Sequence, residues 1–136
     1  MFRWLCQLRA APYSYDWLDN AGRRSPQRLT PGLDALEVGQ RFQRIFELVE
    51  FDPDRQITLR PRDAGLALRL FGSVAVTYLV AADSPGTTRL LAKICVRYRR
   101  GVSGWFMRVL LPWGDLIMMR RQLLNLKRLA ERDRRE

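Results

Sequence analysis

The sequence predicts an α+β fold in which an antiparallel β-sheet wraps around a long C-terminal helix. Apolar and polar residues alternate along residues 66–80 and 88–98, which is the period of a strand with one buried face. From residue 115 to 132 leucine and methionine instead recur every three or four positions, which is the period of an amphipathic helix. An apolar sheet face and an apolar helix stripe must both be covered, and here each can cover the other.

The N-terminal third is predicted to be helical at first and then irregular. Residues 1–9 have apolar side chains near helical spacing and form a short amphipathic helix. Pro12 ends it, because a proline disfavours helix in the residue before it. Residues 13–18 are predicted to form one or two further helical turns. Residues 23–39 are rich in proline and glycine and are predicted to form a long loop.

The middle of the chain is predicted to form an antiparallel meander, because its strands are joined by short turns of aspartate, proline and glycine. Gly72 marks a bend, a bulge or a break within the third strand. The predicted strands are residues 40–51, 56–60, 66–80 and 88–98.

A proline divides the C-terminal part of the sequence into two predicted elements. Residues 99–104 are predicted to be a loop, and the apolar residues 104–111 are a candidate for one more strand. Pro112 separates that segment from the long helix at residues 115–132.

Charge and composition exclude several functions. The 24 basic residues outnumber the 14 acidic ones, which gives a net charge of +10, and histidine is absent. Catalysis by Ser–His or Cys–His pairs and histidine zinc sites are therefore excluded within this sequence. The basic charge has two interpretations: a solvated surface, which we favour, or an anionic partner such as nucleic acid or an anionic membrane.

Two cysteines and one apolar stretch bear on the redox state of the thiols and on the cellular location. Cys6 and Cys95 are far apart and form no CxxC motif, so we expect free thiols and neither a metal site nor a cofactor. Residues 102–119 are apolar but contain Arg108 and Asp115, which are costly inside a bilayer. We therefore expect no spanning helix, no leader peptide and a cytoplasmic location.

Three short motifs and the order of the elements resemble a known superfamily. The motifs are YSYDWLDN at residues 13–20, VGQ at 38–40 and LKRLAE at 126–131. They are similar to segments of the START-like (SRPBCC) superfamily, whose helix-grip fold has the element order predicted above. The resemblance covers nearly the whole chain and implies a single domain over residues 1–136.

The resemblance also implies a difference at the N-terminus. Members of the superfamily usually begin with a strand before the first helix, whereas Met1 lies directly in the predicted helix. Either the start of this sequence is truncated or the sheet lacks that strand, and we expect no strand in residues 1–8 and a sheet with fewer strands than is usual for the superfamily. An exposed sheet edge would invite pairing with another chain, so a homodimer through that edge is a further expectation.

The resemblance implies a cavity between sheet and helix that holds lipids, polyketides or other apolar molecules. From the residues alone, a fully packed core is the favoured alternative. Arg44 shares its strand parity with Phe46 and points either inward or, as we favour, to the rim. The predicted ligand-binding residues are Arg44, Phe46, Val74, Val76, Tyr78, Ile94, Val96, Leu116, Met119 and Leu123.

Three functions follow as hypotheses, of which binding of a small hydrophobic ligand is the first. The second is a cyclase-like or dehydratase-like enzyme acting on an aromatic or polyketide substrate, for which the sequence assigns no catalytic residue. The third is a basic peripheral protein that binds membranes or nucleic acid.

Overall fold

The computed structural model describes residues 1–43, 45–62, 73–97 and 102–135. Within these ranges short helices come first, five strands follow, and one long helix comes last. The elements are α1 (Phe2–Cys6), a 3₁₀ turn (Gln7–Arg9), α2 (Asp16–Asp19), β1 (Arg41–Phe42), β2 (Phe46–Asp52), β3 (Gln56–Pro61), β4 (Ser73–Ser84), β5 (Thr87–Arg97) and α3 (Val102–Asp133). This arrangement confirms the α+β prediction of an antiparallel sheet with a C-terminal helix.

The strands form one antiparallel sheet in the order β1-β2-β3-β4-β5. Alternation along β4 and β5 gives the sheet one protected face, as the sequence predicts. Val76 and Tyr78 are buried on that face, whereas Leu91 and Cys95 are exposed on the other. Part of two predicted strands lies outside the described residues: positions 66–72 of the third strand, which include Gly72, and position 98 of the fourth. Residues 99–101 of the predicted loop also lie outside them.

The prediction of a single strand over residues 40–51 is wrong. The chain reverses within this segment, and β1 pairs with β2 so that Phe42 lies opposite Phe46. Gln43 has a φ of 52°, a left-handed value that is typical of a turn. The parity argument for Arg44 therefore fails, because Phe42 belongs to β1 and Phe46 to β2. Arg44 itself lies outside the described residues.

The predicted strand at residues 104–111 and the loop over residues 102–104 are also wrong. Both segments belong to α3, a 32-residue helix that contains Pro112 in its interior. A short apolar run has no period that distinguishes a strand from a buried or exposed helix. A proline costs a helix about 3 kcal/mol, a cost that the other helical residues outweigh here.

The core lies where α1, the sheet and the C-terminal half of α3 meet. The Trp4 ring packs edge-on against Tyr13, with centroids 6.0 Å apart, and its indole Nε1 donates a hydrogen bond of 2.9 Å to Asp133 Oδ2. The buried side chains include Leu5, Leu8, Phe42, Leu48, Ile57, Leu59, Leu126 and Leu129. The first helix is thus packed beneath the end of the last one.

The apolar stripe predicted for the long helix is buried only in its C-terminal half. Leu126 and Leu129 are in the core, and Met119 and Leu123 are partly buried against it. Leu116 is 59% exposed, so the prediction that it faces the sheet is wrong. The helix continues past the edge of the core at this point.

Candidate ligand pocket

A partly open pocket of about 660 Å³ lies between the sheet, α3 and the loop that follows the 3₁₀ turn. The sheet contributes Val74, Val76 and Ile94, and α3 contributes Met118 and Met119. The loop supplies a third wall, formed by residues 10–12 and by Ser14, Asn20, Arg23, Arg24 and Pro26. Apolar side chains therefore form two opposite walls.

Strand and helix periodicity explain why these side chains meet. Val74 and Val76 are two apart on β4 and share one face of the sheet, where Val76 lies opposite Ile94 on β5. On α3, Asp115, Met119 and Gln122 are four and three residues apart, which places them on one side of the helix. The local patterns thus direct both elements towards the same space.

A buried polar network fixes α3 to the sheet at the floor of the pocket. The Tyr78 hydroxyl donates a 2.6 Å hydrogen bond to Gln122 Oε1, and Gln122 Nε2 donates another of 2.6 Å to the carbonyl oxygen of Pro12. Both side chains are almost fully buried. Burial raises the pKa of the Tyr78 hydroxyl well above its usual value, so that this group remains a neutral donor. One glutamine therefore links helix, strand and loop.

A second set of hydrogen bonds holds the loop wall. The Asp16 carboxylate accepts from both the backbone N–H of Ser25, at 2.8 Å, and its hydroxyl, at 2.5 Å. The Ser25 hydroxyl oxygen in turn accepts from the backbone N–H of Tyr13 at 3.3 Å. Asp16 has a structural role here, since its two oxygens fix the segment that carries Arg23 and Arg24.

The pocket contains charge of both signs. Asp115 lines it from α3, and partial burial raises the pKa of its carboxyl group. Arg23 and Arg24 line it from the loop and are exposed. The basic groups therefore lie on the solvent side of a largely apolar pocket.

The structure brings together most of the predicted ligand-binding residues. Those that line the pocket are Phe46, Val74, Val76, Tyr78, Ile94 and Met119. Val96 lies on the same face of β5 but is not among the described lining residues, and Leu123 lines a different cleft. Leu116 is exposed to solvent, and Arg44 is outside the described residues.

Sequence reasoning missed Gln122, Asp115, Met118 and the whole loop wall. Gln122 had a detectable signal, because it lies four residues before Leu126 and shares its helix face. A polar residue on the buried face of a helix indicates a partner inside the protein. The loop wall had no such signal.

A second cleft, of about 870 Å³, lies between α1, the β4–β5 turn and the end of α3. It is larger, but charged side chains line much of it. Arg89 pairs with Asp83 at 2.7 Å and Lys127 with Glu131 at 3.7 Å. Exposed ion pairs are typical of a solvated cleft, and the apolar pocket is therefore the stronger candidate for a ligand.

Within the described ranges, no group of three or more histidine, cysteine or carboxylate side chains is placed to hold a metal ion. In the same part of the chain, no helix combines the length and apolar character needed to cross a bilayer. Comparisons with protein-family models, with curated proteins and with solved structures return no match.

Proposed function

We propose that this chain binds a small apolar ligand in the pocket between the sheet and α3, the function that its resemblance to the START-like superfamily implies. The observation that supports the proposal most is the pair of apolar walls, Val74, Val76 and Ile94 on one side and Met118 and Met119 on the other. The space of about 660 Å³ between them is within the range of 300–1,000 Å³ that is usual for ligand pockets.

The composition of the walls suits an apolar molecule of variable shape. Methionine side chains are flexible and polarisable, so Met118 and Met119 can adapt to different ligands. The Tyr78 hydroxyl already donates a hydrogen bond to Gln122, so the polar groups at the floor of the pocket have their partners within the protein. A ligand needs to supply no hydrogen bond there, which favours hydrocarbon or aromatic groups over polar ones.

The competing interpretation is a packed core, and the two can be separated by position along α3. Leu126 and Leu129 are packed against α1 and the sheet. Met119, two turns earlier, is only partly buried and faces the pocket. The helix therefore has a packed end and a pocket end, and a ligand would be held at the latter.

Titration with N-phenyl-1-naphthylamine, a neutral apolar fluorophore, tests the proposal. We expect saturable binding, and we expect Val74→Trp to weaken it about tenfold or more, because an indole would fill the space next to Val76. Leu91→Trp places the same side chain on the exposed face of the sheet and should leave binding unchanged. Native mass spectrometry of the protein purified from cells should show a retained small molecule.

The proposal is wrong if the wild-type protein shows no saturable binding, or if both tryptophan variants bind the probe equally well. Far-UV circular dichroism of each variant excludes a trivial loss of structure. Val74 is only partly buried, so the larger side chain can enter the pocket without displacing the core.

An enzyme is a second candidate, and the observation that favours it is Asp115. Asp115 is the one carboxyl group among the described residues that line the pocket, and partial burial raises its pKa. Because the Tyr78 proton is engaged by Gln122, Asp115 would have to act as the proton donor or acceptor for any substrate. Turnover of a cyclisable polyketide analogue that Asp115→Asn abolishes would support an enzyme, whereas binding without turnover supports a carrier.

A further inference from the structure

The N-terminal half of α3 presents a second apolar face that no described element covers. Its large side chains recur four, four, three and one residues apart, which places them on one side of the helix. Among residues 105–114, exposure is described for six positions, 105, 108, 109 and 112–114, and all six are exposed. The α3 apolar face consists of Trp105, Val109, Trp113, Leu116 and Ile117, each more than half exposed.

We propose that the α3 apolar face docks on the surface of an anionic membrane, with the helix lying in the plane of the interface. Helices of this kind bury their apolar side about 5–10 Å into the boundary between headgroups and acyl chains. Two of the five side chains are tryptophans, which are enriched at membrane–water interfaces because the ring is apolar and its N–H is polar. This surface is separate from the ligand pocket and does not depend on it.

Charge identifies the partner. Along α3 the sequence has six basic residues and three acidic ones, and two of the acidic residues, Glu131 and Asp133, lie at the C-terminal end of the helix, away from the α3 apolar face. The third, Asp115, lines the ligand pocket, and Arg120 is exposed one turn beyond Leu116 and Ile117. A basic rim next to an apolar face complements anionic headgroups above acyl chains. The net charge of the chain, +10, acts in the same direction.

Two other partners fit less well. A second copy of the chain would bring two basic helices together without an acidic residue on either apolar face to pair with them. Nucleic acid would satisfy Arg120, but a phosphate backbone offers no apolar surface for Val109 or Ile117. An anionic bilayer matches both the charge and the apolar side chains.

Vesicle co-sedimentation of the full chain tests this proposal. We expect binding to vesicles of phosphatidylcholine with phosphatidylserine, little binding to phosphatidylcholine alone, and loss of binding as salt is raised. Tryptophan fluorescence should shift to shorter wavelength on binding. The double variant Trp105→Ala/Trp113→Ala should weaken binding about tenfold or more, because it lacks the two large rings whose transfer from water into the membrane interface favours binding.

Matched control variants distinguish binding through the α3 apolar face from non-specific binding to vesicles. Trp17, on α2, is 74% exposed, and Trp17→Ala should bind vesicles like the wild type. Arg120→Glu should weaken binding more than Arg28→Glu, which makes the same charge change at another exposed position. If the double variant loses the wild-type circular dichroism spectrum, Ile117→Ser provides the same comparison with a smaller change and is likewise expected to weaken binding.

Several outcomes would overturn the proposal: no vesicle binding by the wild type at low salt, equal binding to neutral and anionic vesicles, or unchanged binding by the double variant. Analytical ultracentrifugation can give a further outcome that would overturn the proposal. A concentration-dependent dimer that Trp105→Ala/Trp113→Ala converts to monomer would show that a second copy occupies the face instead.

Discussion

Replacement of Gln122 by leucine should destabilise the protein more than most single substitutions. The side chain accepts a hydrogen bond from Tyr78 and donates one to the Pro12 carbonyl, both at 2.6 Å. All three residues are buried. Leucine has a similar volume but cannot replace either bond, so the variant leaves a buried hydroxyl and a buried carbonyl without their partner.

The magnitude follows from those two groups. A buried polar group that loses its partner costs about 1–3 kcal/mol, so Gln122→Leu should cost about 2–6 kcal/mol. Tyr78→Phe leaves only Gln122 Oε1 without a donor and should cost about 1–3 kcal/mol. The double variant leaves only the Pro12 carbonyl. It should therefore be more stable than Gln122→Leu alone by about 1–3 kcal/mol, although it carries one substitution more.

Urea unfolding followed by far-UV circular dichroism gives the four free energies of unfolding for this cycle. Tyr15→Phe is the control, since it removes a hydroxyl from a ring that is not fully buried and should change stability by less than about 0.5 kcal/mol. The reasoning fails if the double variant is less stable than Gln122→Leu, or if Gln122→Leu costs no more than the control.

Two further predictions concern titratable groups. Burial raises the pKa of Asp115, so the ionisation of its carboxyl group lowers the stability of the folded protein as pH rises through that pKa. Asp115→Asn should therefore be more stable than the wild type near pH 7. The difference in stability should shrink towards about pH 3, where the carboxyl group is protonated in both the folded and the unfolded protein. A difference in urea midpoint that grows on acidification would contradict this. Burial also raises the pKa of Cys6 to about 11, whereas Cys95 is exposed. Iodoacetamide should alkylate Cys95 in the folded protein and Cys6 only after unfolding, as peptide mass spectrometry would show; equal rates in the folded protein would contradict the structure.

Periodic segments were predictable because burial determines their sequence. The alternation on β4 and β5 correctly predicted which residues share the protected face, and six of the predicted ligand-binding residues line the pocket. The predicted free thiols of Cys6 and Cys95 are confirmed in the structure. The shared face and the pocket residues were predictable because buried and exposed positions alternate with the period of the secondary structure.

The wrong predictions have physical causes. The turn after Phe42 contains no glycine, proline, asparagine or aspartate in its described residues, and its left-handed residue is Gln43, which rarely signals a turn. The prediction that Pro112 separates two elements is wrong, because a long helix can accommodate one proline. Leu116 continues the stripe of α3 beyond the point where there is a sheet to cover it. Periodicity reports what a helix can bury, and tertiary contacts decide how much of it is buried.

The hydrogen bond between Trp4 and Asp133 joins residues 129 positions apart. Closing a loop of that length costs conformational entropy on the order of 4 kcal/mol, so we expect this contact to form after the local β4–β5 hairpin. Until then Leu5 and Leu8 lack their final cover, and a chain in that state would expose apolar side chains that favour aggregation. Mutual repulsion between molecules of net charge +10 would keep such partly folded chains apart until the two ends of the chain meet, a step that the fluorescence of Trp4 would report in a variant without the other three tryptophans.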